Sequence, residues 1–215
     1  MIVDTLSSGS HPVTAARADA TRLQILGAAA DALAEGDVAF SIGGIAERAR
    51  LTRQAVYLHF RDRGDLLVSA VDELNRRLGL DARRREIGEA GDPHSALEVL
   101  VRVLVTHSAR TLPAMRAVRR LLEDDARARA AWMKRPGGRA ADIRQVIASL
   151  DEVGALRRGL TAQDAAALVE SLVSLDAITE LVVRRRWSVA RAATELLRAV
   201  RAAILDSTTD DRYQR

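Results

Sequence analysis

The chain has 215 residues, of which 48% are hydrophobic and 29% are charged, and its formal net charge is +4. This length allows one or two domains with a substantial buried core. The absence of cysteine excludes disulfides and cysteine nucleophiles, and the four histidines lack metal-ligand spacing, so we expect neither a metal site nor a cofactor. No apolar run is long enough to cross a bilayer and no signal-peptide pattern is present, so we expect a cytoplasmic protein with no membrane partner.

The first predicted helix follows a segment, residues 1–17, whose small and polar composition is typical of a flexible tail. Gly36 suits the end of this helix, because glycine readily adopts the left-handed conformation found after helix C-termini. Apolar residues at helical spacing give the helix one expected buried face, formed by Leu23, Leu26, Ala30 and Leu33.

Two short helices joined by a tight turn are predicted in residues 41–60. Ser41 and Thr52 suit N-caps, since a hydroxyl can accept a hydrogen bond from an unpaired backbone N–H in the first helical turn. Leu51 supplies an apolar residue between the two helices. The segment therefore predicts a helix-turn-helix motif.

The second helix of this motif carries side chains that suit DNA. Val56 and Phe60 lie four residues apart and should face the interior, which turns Arg53, Gln54 and Tyr57 outward. In a helix-turn-helix protein the second helix enters the major groove, and its N-terminal residues reach base edges. We therefore expect this helix to read base pairs.

The rest of the chain is also predicted to be helical, because no segment has the strict alternation of a half-buried strand. The sequence predicts an all-α protein with about nine helices. After the motif we expect helices over residues 63–86, 95–111, from Pro113 onward, 141–153, 162–184 and from Val189 to about Ile204.

Residues 21–67 resemble the DNA-binding domain of the TetR family of bacterial transcriptional repressors. The resemblance rests on the IAERA run, on the pattern Leu-Thr-Arg-x-x-Val-Tyr-x-His-Phe, and on Arg63 followed by Leu66 and Leu67. Arg63 stands where the family usually has a lysine.

Two features depart from the family pattern. Arg50 stands where the family usually has a turn glycine, so we expect left-handed backbone there, at a cost of roughly 1 to 2 kcal/mol. Gly43 and Gly44 should weaken the first helix of the motif, since glycine is about 1 kcal/mol less favourable than alanine in a helix.

The resemblance implies a dimeric transcriptional regulator, most simply a repressor that binds a palindromic operator and is released by a small-molecule effector. It also implies a homodimer formed through the last two helices. A nonspecific architectural DNA-binding protein and an all-helical enzyme are the alternatives, although no catalytic constellation is evident. The expected divisions are a flexible tail (1–17), a three-helix DNA-binding domain (18–67), a ligand-binding and dimerisation domain (68–206) and a second flexible tail (207–215).

Each candidate DNA contact has a rival interpretation. The Arg53 guanidinium suits O6 and N7 of guanine, but it could instead be solvated or contact a phosphate. Gln54 could pair with adenine or touch the backbone, Tyr57 could donate to a phosphate or pack in the core, and His59 could brace the motif internally. The full candidate set is Ser41, Thr52, Arg53, Gln54, Tyr57, His59 and Arg63.

The candidate ligand site is less clearly defined. An effector of mostly apolar character is expected in a cavity of the helical bundle. Asp176 and Glu180 could receive a cationic or hydroxylated compound, or could pair with arginines near the dimer interface. Arginine runs at 83–85, 116–120 and 184–186 are expected to be solvated surfaces. The candidate ligand residues are His107, Met115, Trp132, Met133, Ile147, Asp176, Thr179 and Glu180.

Overall fold

The computed structural model describes residues 11–37, 39–135 and 138–206. Its regular structure within these ranges is helical, which confirms the predicted all-α class. The helices are α1 (His11–Ala34), α2 (Ile42–Arg48), α3 (Arg53–Tyr57), α4 (Arg63–Arg77), α5 (Leu80–Gly88), α6 (Pro93–Asp124), α7 (Ala126–Met133), α8 (Arg139–Glu152), α9 (Ala162–Leu172), α10 (Leu175–Ile178), a π-helical segment (Thr179–Arg184) and α11 (Val189–Ile204).

The two predicted tails fall largely outside the described residues, which exclude 1–10 and 207–215. Residues 11–17, expected in the N-terminal tail, are the first turns of α1.

The chain divides into two compact units. The first unit comprises Met1–Leu74 and Pro113–Lys134, and the second comprises Asn75–Leu112 and Arg135–Arg215. The first unit thus contains more than residues 18–67, because the end of α6 and all of α7 are part of it. The functional boundary after residue 67 stays a prediction.

The core of the first unit forms where α1 packs on α2 and α2 packs on α3. Ile25, Ala29 and Leu33 of α1 are completely buried, whereas Leu23 is 61% exposed. The predicted buried face was therefore wrong at Leu23. Alanines occupy several of the buried positions of α1. Their small side chains allow neighbouring helices to pack closely against it.

Close packing also joins α4 to α7 within the first unit. A Cβ atom added at Gly64 would lie 2.9 Å from the Cα of Ala128, a distance that real Cβ contacts do not reach. Gly64 therefore lets the start of α4 approach the backbone of α7 directly.

The core of the second unit is built from α6, α8, α9 and α11. Helix α8 packs against α9, and α9 packs against α11. An antiparallel bridge between Leu156 and Leu205 joins the turn after α8 to the end of α11. The buried residues at the centre of this core include Leu97, Leu100, Val101, Ile143, Ile147, Val169 and Val200.

The helix predicted over residues 63–86 is two helices, because Gly79 interrupts it. The backbone of Gly79 is left-handed, with φ of 69°. Helix α4 ends at Arg77, and α5 begins at Leu80.

The two helices predicted on either side of Pro113 are one continuous helix, α6. Proline in a helix interior removes a hydrogen bond and costs about 3 kcal/mol. The adjacent Leu112 and Ala114 are 5% and 1% exposed, so packing on both sides of the proline holds the helix together.

The helix predicted over residues 162–184 is also divided. Helix α9 ends at Leu172, where a guanidinium N–H of Arg139 donates to the carbonyl oxygen of Val173. The side chain of Ser174 then caps α10 by accepting a hydrogen bond from the N–H of Ala177 at 3.2 Å. Competition from these two side chains replaces regular helical hydrogen bonding at the break. Within the described ranges, no helix combines the length and apolarity needed to span a membrane.

Arg50 has the left-handed backbone expected from the sequence, with φ of 55°. We predict that Arg50→Gly raises the free energy of unfolding by about 0.5 to 1 kcal/mol, because glycine removes the strain at the cost of some unfolded-state entropy. Urea denaturation measures this difference. Arg144→Gly in the middle of α8 is the control and should lose about 1 kcal/mol. A less stable Arg50→Gly protein would contradict this account of the turn.

Candidate functional site

Both predicted N-caps of the helix-turn-helix motif are formed. The Ser41 hydroxyl accepts a hydrogen bond from the N–H of Gly44 at 3.1 Å, and the Thr52 hydroxyl accepts from Ala55 at 3.1 Å. Both residues are exposed, and each hydroxyl keeps its own hydrogen for donation. Either side chain could thus cap its helix and donate to a phosphate at the same time.

The core fixes the orientation of α3. Val56 and Phe60 are 0% and 1% exposed, which confirms their predicted inward orientation. Arg53 and Gln54 lie on the exposed side of the helix, and Tyr57 is 57% exposed. The structure therefore favours an accessible tyrosine over a core tyrosine.

Arg53 lies directly over Gly43 of α2. A Cβ atom added at Gly43 would lie 2.8 Å from both Nε and Nη2 of Arg53. The missing side chain thus makes room for the guanidinium against the preceding helix. The sequence identified Gly43 only as a helix-weakening residue, because its contact with Arg53 joins two different helices.

His59 and Arg63 are half-buried at the end of the motif. The Nε atom of Arg63 is buried and has no hydrogen-bond partner in the described structure. Beside them, the guanidinium carbon of Arg22 lies 4.8 Å from the centroid of the Phe60 ring, within the range of a cation–π contact. Arg22 was not identified from the sequence, although its position near the buried phenylalanine makes it part of the motif's support.

Internal ion pairs occupy some of the arginines near the motif. Arg48 donates to both carboxylate oxygens of Glu35 at 2.9 Å, which lowers the pKa of Glu35. Arg61 lies 3.6 Å from the carboxylate of Asp65. These ion pairs reduce the positive charge that Arg48 and Arg61 can offer to DNA.

Leu58 is a surface residue that the sequence analysis did not select. It is 80% exposed and lies between Tyr57 and His59 at the end of α3. An exposed leucine beside candidate DNA contacts could touch the methyl group of a thymine. Its position four residues after the outward-facing Gln54, on the same face of the helix, was the signal that could have identified it.

A groove of about 450 Å³ opens between α1 and α2 in the first unit. Gln24 crosses from α1 to donate to the carbonyl oxygen of Ala49 at 2.7 Å, which braces the two helices. Arg48 and Glu35 pair along the same groove. The groove contains none of the predicted ligand residues.

The predicted ligand residues fall in different parts of the fold. Met115, Trp132 and Met133 belong to the first unit, and Met133 is 77% exposed. In the second unit, Ile147 is 1% exposed within the core, whereas Thr179 begins the π-helical segment. The roles of these residues stay predictions.

Glu180 is engaged by neighbouring arginines. Its carboxylate accepts hydrogen bonds from Arg184 at 3.1 Å and from Arg185 at 2.9 Å, and these contacts lower its pKa. Asp176 is exposed in α10. For Glu180 the geometry favours the arginine-paired interpretation over a site for a cationic ligand.

His107 lies in a polar environment within the second unit. Its Nε2 atom is 2.9 Å from Oδ1 of Asn75, and burial together with nearby arginines lowers its pKa to about 4. The imidazole is therefore neutral at pH 7, which suits hydrogen bonding better than ion pairing.

The capped pair of helices, with a buried Val56 and Phe60 and an outward Arg53 and Gln54, defines a helix-turn-helix DNA-binding unit. Residues 25–70 match the sequence model for the bacterial regulatory proteins of the tetR family. This match confirms the TetR resemblance of the motif. Among curated proteins, none matches the chain.

Solved structures share the fold over most of the chain. A regulator from Rhodococcus sp. attributed to the TetR family has 23% identity and a TM-score of 0.68, over 85% of this chain and 98% of its own. FadR from Bacillus subtilis, in complex with stearoyl-CoA, has 17% identity and a TM-score of 0.66, over 83% and 96%. SmeT, the repressor of the multidrug efflux pump SmeDEF of Stenotrophomonas maltophilia, has 22% identity and a TM-score of 0.62, over 88% and 93%. The chain thus has the fold of a TetR-family transcriptional regulator.

Substitution of the two adjacent glycines of α2, Gly43 and Gly44, tests whether Gly43 positions Arg53. We predict that Gly43→Ala displaces the guanidinium and reduces the preference for one base of selected DNA by about tenfold, within the 1 to 3 kcal/mol range of an arginine–guanine pair. Sequencing of DNA selected by each variant measures this preference.

Gly44→Ala is the matched control, because its added Cβ would meet only the Ser41 hydroxyl, at 3.3 Å. It gains the same helix propensity and should keep the base preference of the parent protein. Identical base preferences for both variants would show that Gly43 does not position Arg53.

Proposed function

We propose that the protein is a dimeric transcriptional repressor that binds a palindromic operator and is released by a small-molecule effector. The orientation of α3 carries this proposal, since burial of Val56 and Phe60 leaves Arg53 and Gln54 exposed at its N-terminal end. These are the positions from which a recognition helix reaches base edges. As a DNA-binding regulator the protein would act in the cytoplasm.

Arg53 and Gln54 supply complementary chemistry for reading base pairs. The planar guanidinium can donate two hydrogen bonds to O6 and N7 of guanine, and the glutamine amide can pair with N6 and N7 of adenine. Both side chains are exposed in α3. We assign direct base contacts to these two residues.

Tyr57, Ser41, Thr52, His59 and Arg63 are proposed to contact the DNA backbone. Tyr57 exposes its phenol, and the two capping hydroxyls remain able to donate. Hydrogen bonds to phosphates hold a protein in register on DNA without choosing a sequence. These contacts would therefore add affinity for any duplex.

The dimer is proposed to form through the outer faces of α9, the π-helical segment and α11. Leu168 of α9 is 36% exposed and Val183 of the π-helical segment is 46% exposed, so both helical segments present apolar surface. Ala199 is exposed on α11, whereas Ala192 is buried in the protomer's own core and is unavailable to a partner. A two-fold dimer would place two recognition helices on half-sites about one helical turn apart.

Two relatives of the same fold support the repressor and effector parts of the proposal. SmeT is a repressor, and FadR from Bacillus subtilis was solved with stearoyl-CoA. An effector releases DNA only if it binds the nonbinding conformation more tightly, which shifts the population away from the DNA-bound form.

Base selection tests the proposed DNA contacts. We predict that Arg53→Ala lowers discrimination at one base position of each half-site by 1 to 3 kcal/mol, about 5- to 150-fold, whereas Tyr57→Phe weakens all duplexes to a similar degree. Selection from random DNA, followed by titration of the selected duplex against random DNA at fixed salt, separates the two effects.

Equal affinity of the wild-type protein for selected and random DNA would favour the alternative of a nonspecific architectural protein. An unchanged base preference in Arg53→Ala would remove this residue from the reading set.

Sedimentation velocity tests the dimer. We predict that the wild-type protein is a dimer at micromolar concentration and that Leu168→Asp raises its dissociation constant at least 100-fold, because a buried carboxylate would lack a partner. Val153→Asp is the matched control, since Val153 is 59% exposed at the end of α8, outside the proposed interface. A monomeric wild-type protein would contradict the proposal, as would equal weakening by both substitutions.

A further inference from the structure

We propose that an arginine-rich cluster in the second unit binds the carboxylate or phosphate group of an anionic effector. This inference rests on the proposed function, because that function requires an effector. The anionic character of the effector is inferred from the cluster itself. The cluster is defined by Asn75, Arg83, Arg84, His107, Arg139 and Asp142.

Hydrogen bonds join these side chains across several helices. The Nε2 atom of His107 on α6 is 2.9 Å from Oδ1 of Asn75 on α4. The Nε atom of Arg84 on α5 donates to the carboxylate of Asp142 on α8 at 2.8 Å. Residues far apart in sequence thus converge within the second unit.

Arg139 links the cluster to the end of α9. It donates to the Ser108 hydroxyl on α6 at 3.4 Å, and its other terminal nitrogen donates to the carbonyl oxygen of Val173. Burial lowers the pKa of its guanidinium, whereas the charge of Glu170 acts in the opposite direction. A guanidinium nevertheless stays protonated in proteins, so Arg139 brings a positive charge into a half-buried position.

Arg83 contributes a second positive charge to the cluster. Its Nη1 atom is buried and has no hydrogen-bond partner within the described ranges. The sequence run 83–85 was expected to form a solvated surface, but Arg83 and Arg84 are both half-buried. A buried guanidinium N–H without an acceptor is costly, and an anion is the partner that offsets this cost best.

Within the cluster itself, three arginines (Arg83, Arg84 and Arg139) accompany one acid, Asp142. His107 experiences the positive charges of Arg83, Arg84, Arg110 and Arg135, which lower its pKa in addition to the larger effect of burial. On the acidic side, Asp142 pairs with Arg84, Asp81 lies 3.9 Å from Arg84, and Glu170 acts on Arg139. The cluster therefore carries a net positive field that attracts an anion and repels a cation.

The neutral His107 adds a directional contact. With the Asn75 oxygen as acceptor, Nε2 carries the proton and Nδ1 keeps a lone pair, and Nδ1 is buried without a hydrogen-bond partner. A hydroxyl or N–H group close to the anionic group could donate to this atom.

Apolar side chains continue from the cluster along the same helices. Ile143 and Val146 follow Arg139 and Asp142 on one face of α8, and Leu104 lies one turn before His107 on α6. All three are buried in the core of the second unit. These buried residues therefore form the apolar side of the cluster.

Three matched probes test the inference on the full-length protein without DNA: decanoate, decyl phosphate and decan-1-ol. Isothermal titration calorimetry at pH 7.5 should show that at least one anion binds 10-fold or more tightly than the alcohol. The two anions distinguish a carboxylate site from a phosphate site. Equal binding of all three probes, or no binding of either anion, would overturn the proposal.

Arg83→Gln tests the residue itself. It should weaken anion binding at least 10-fold, leave binding of decan-1-ol unchanged, and raise the melting temperature of the ligand-free protein by a few degrees, because the half-buried guanidinium with an N–H group that has no acceptor is removed. A purely structural arginine would instead lower the melting temperature when replaced. Unchanged anion affinity in Arg83→Gln would overturn the assignment.

Arg102→Gln is the matched control, since Arg102 is an exposed arginine of α6 that pairs with Glu86 at 3.4 Å. It should bind all three probes as tightly as the parent protein does. If Arg102→Gln lost as much anion affinity as Arg83→Gln, the loss would reflect the change in net charge alone, and the proposal would be overturned. Operator affinity of the wild-type protein is measured separately. Anion binding without operator binding would refute the proposed function alone, and operator binding without anion binding would refute the cluster alone.

Discussion

Burial of Val56 and Phe60 is the constraint on which the DNA-facing side of the molecule depends. A helix of five residues, such as α3, is far too short to be stable alone, because nucleation is unfavourable. Burying side chains of this size contributes about 1.5 to 3 kcal/mol each, more than any local preference of the helix. The core therefore sets both the existence of α3 and its rotation, and Arg53 and Gln54 are exposed as a consequence.

The parts of the motif that obey local rules could be predicted from the sequence. The caps at Ser41 and Thr52 depend on a side chain and a backbone N–H three residues away, and the left-handed Arg50 depends on the geometry of one turn. The space at Gly43 could not be predicted, since it is defined by a side chain from another helix. Gly43 weakens α2 by about 1 kcal/mol, and its role in making room for Arg53 is visible only in the folded structure.

Tertiary contacts also explain why two of the predicted helix boundaries were wrong. Pro113 normally ends a helix, but buried neighbours on both sides keep α6 continuous. The break after α9 has the opposite origin, since Arg139 binds a carbonyl oxygen that a regular helix would use internally. Helical periodicity cannot detect either effect, because one requires the energy of the core and the other requires a side chain more than thirty positions away.

The environment of the charged residues in the second unit also depends on contacts that form only in the folded protein. Glu180 stood out in sequence because an acid is unusual on an apolar helix, yet arginines within five positions satisfy it. Arg83 did not stand out, since it belongs to an arginine run of the kind that normally faces solvent, but the fold buries part of it without an acceptor. The electrostatic character of an interior site is thus set by which charges remain unmatched after folding. Because an anion that binds only the folded protein also stabilises it, ligand recognition and stability at this cluster are thermodynamically linked.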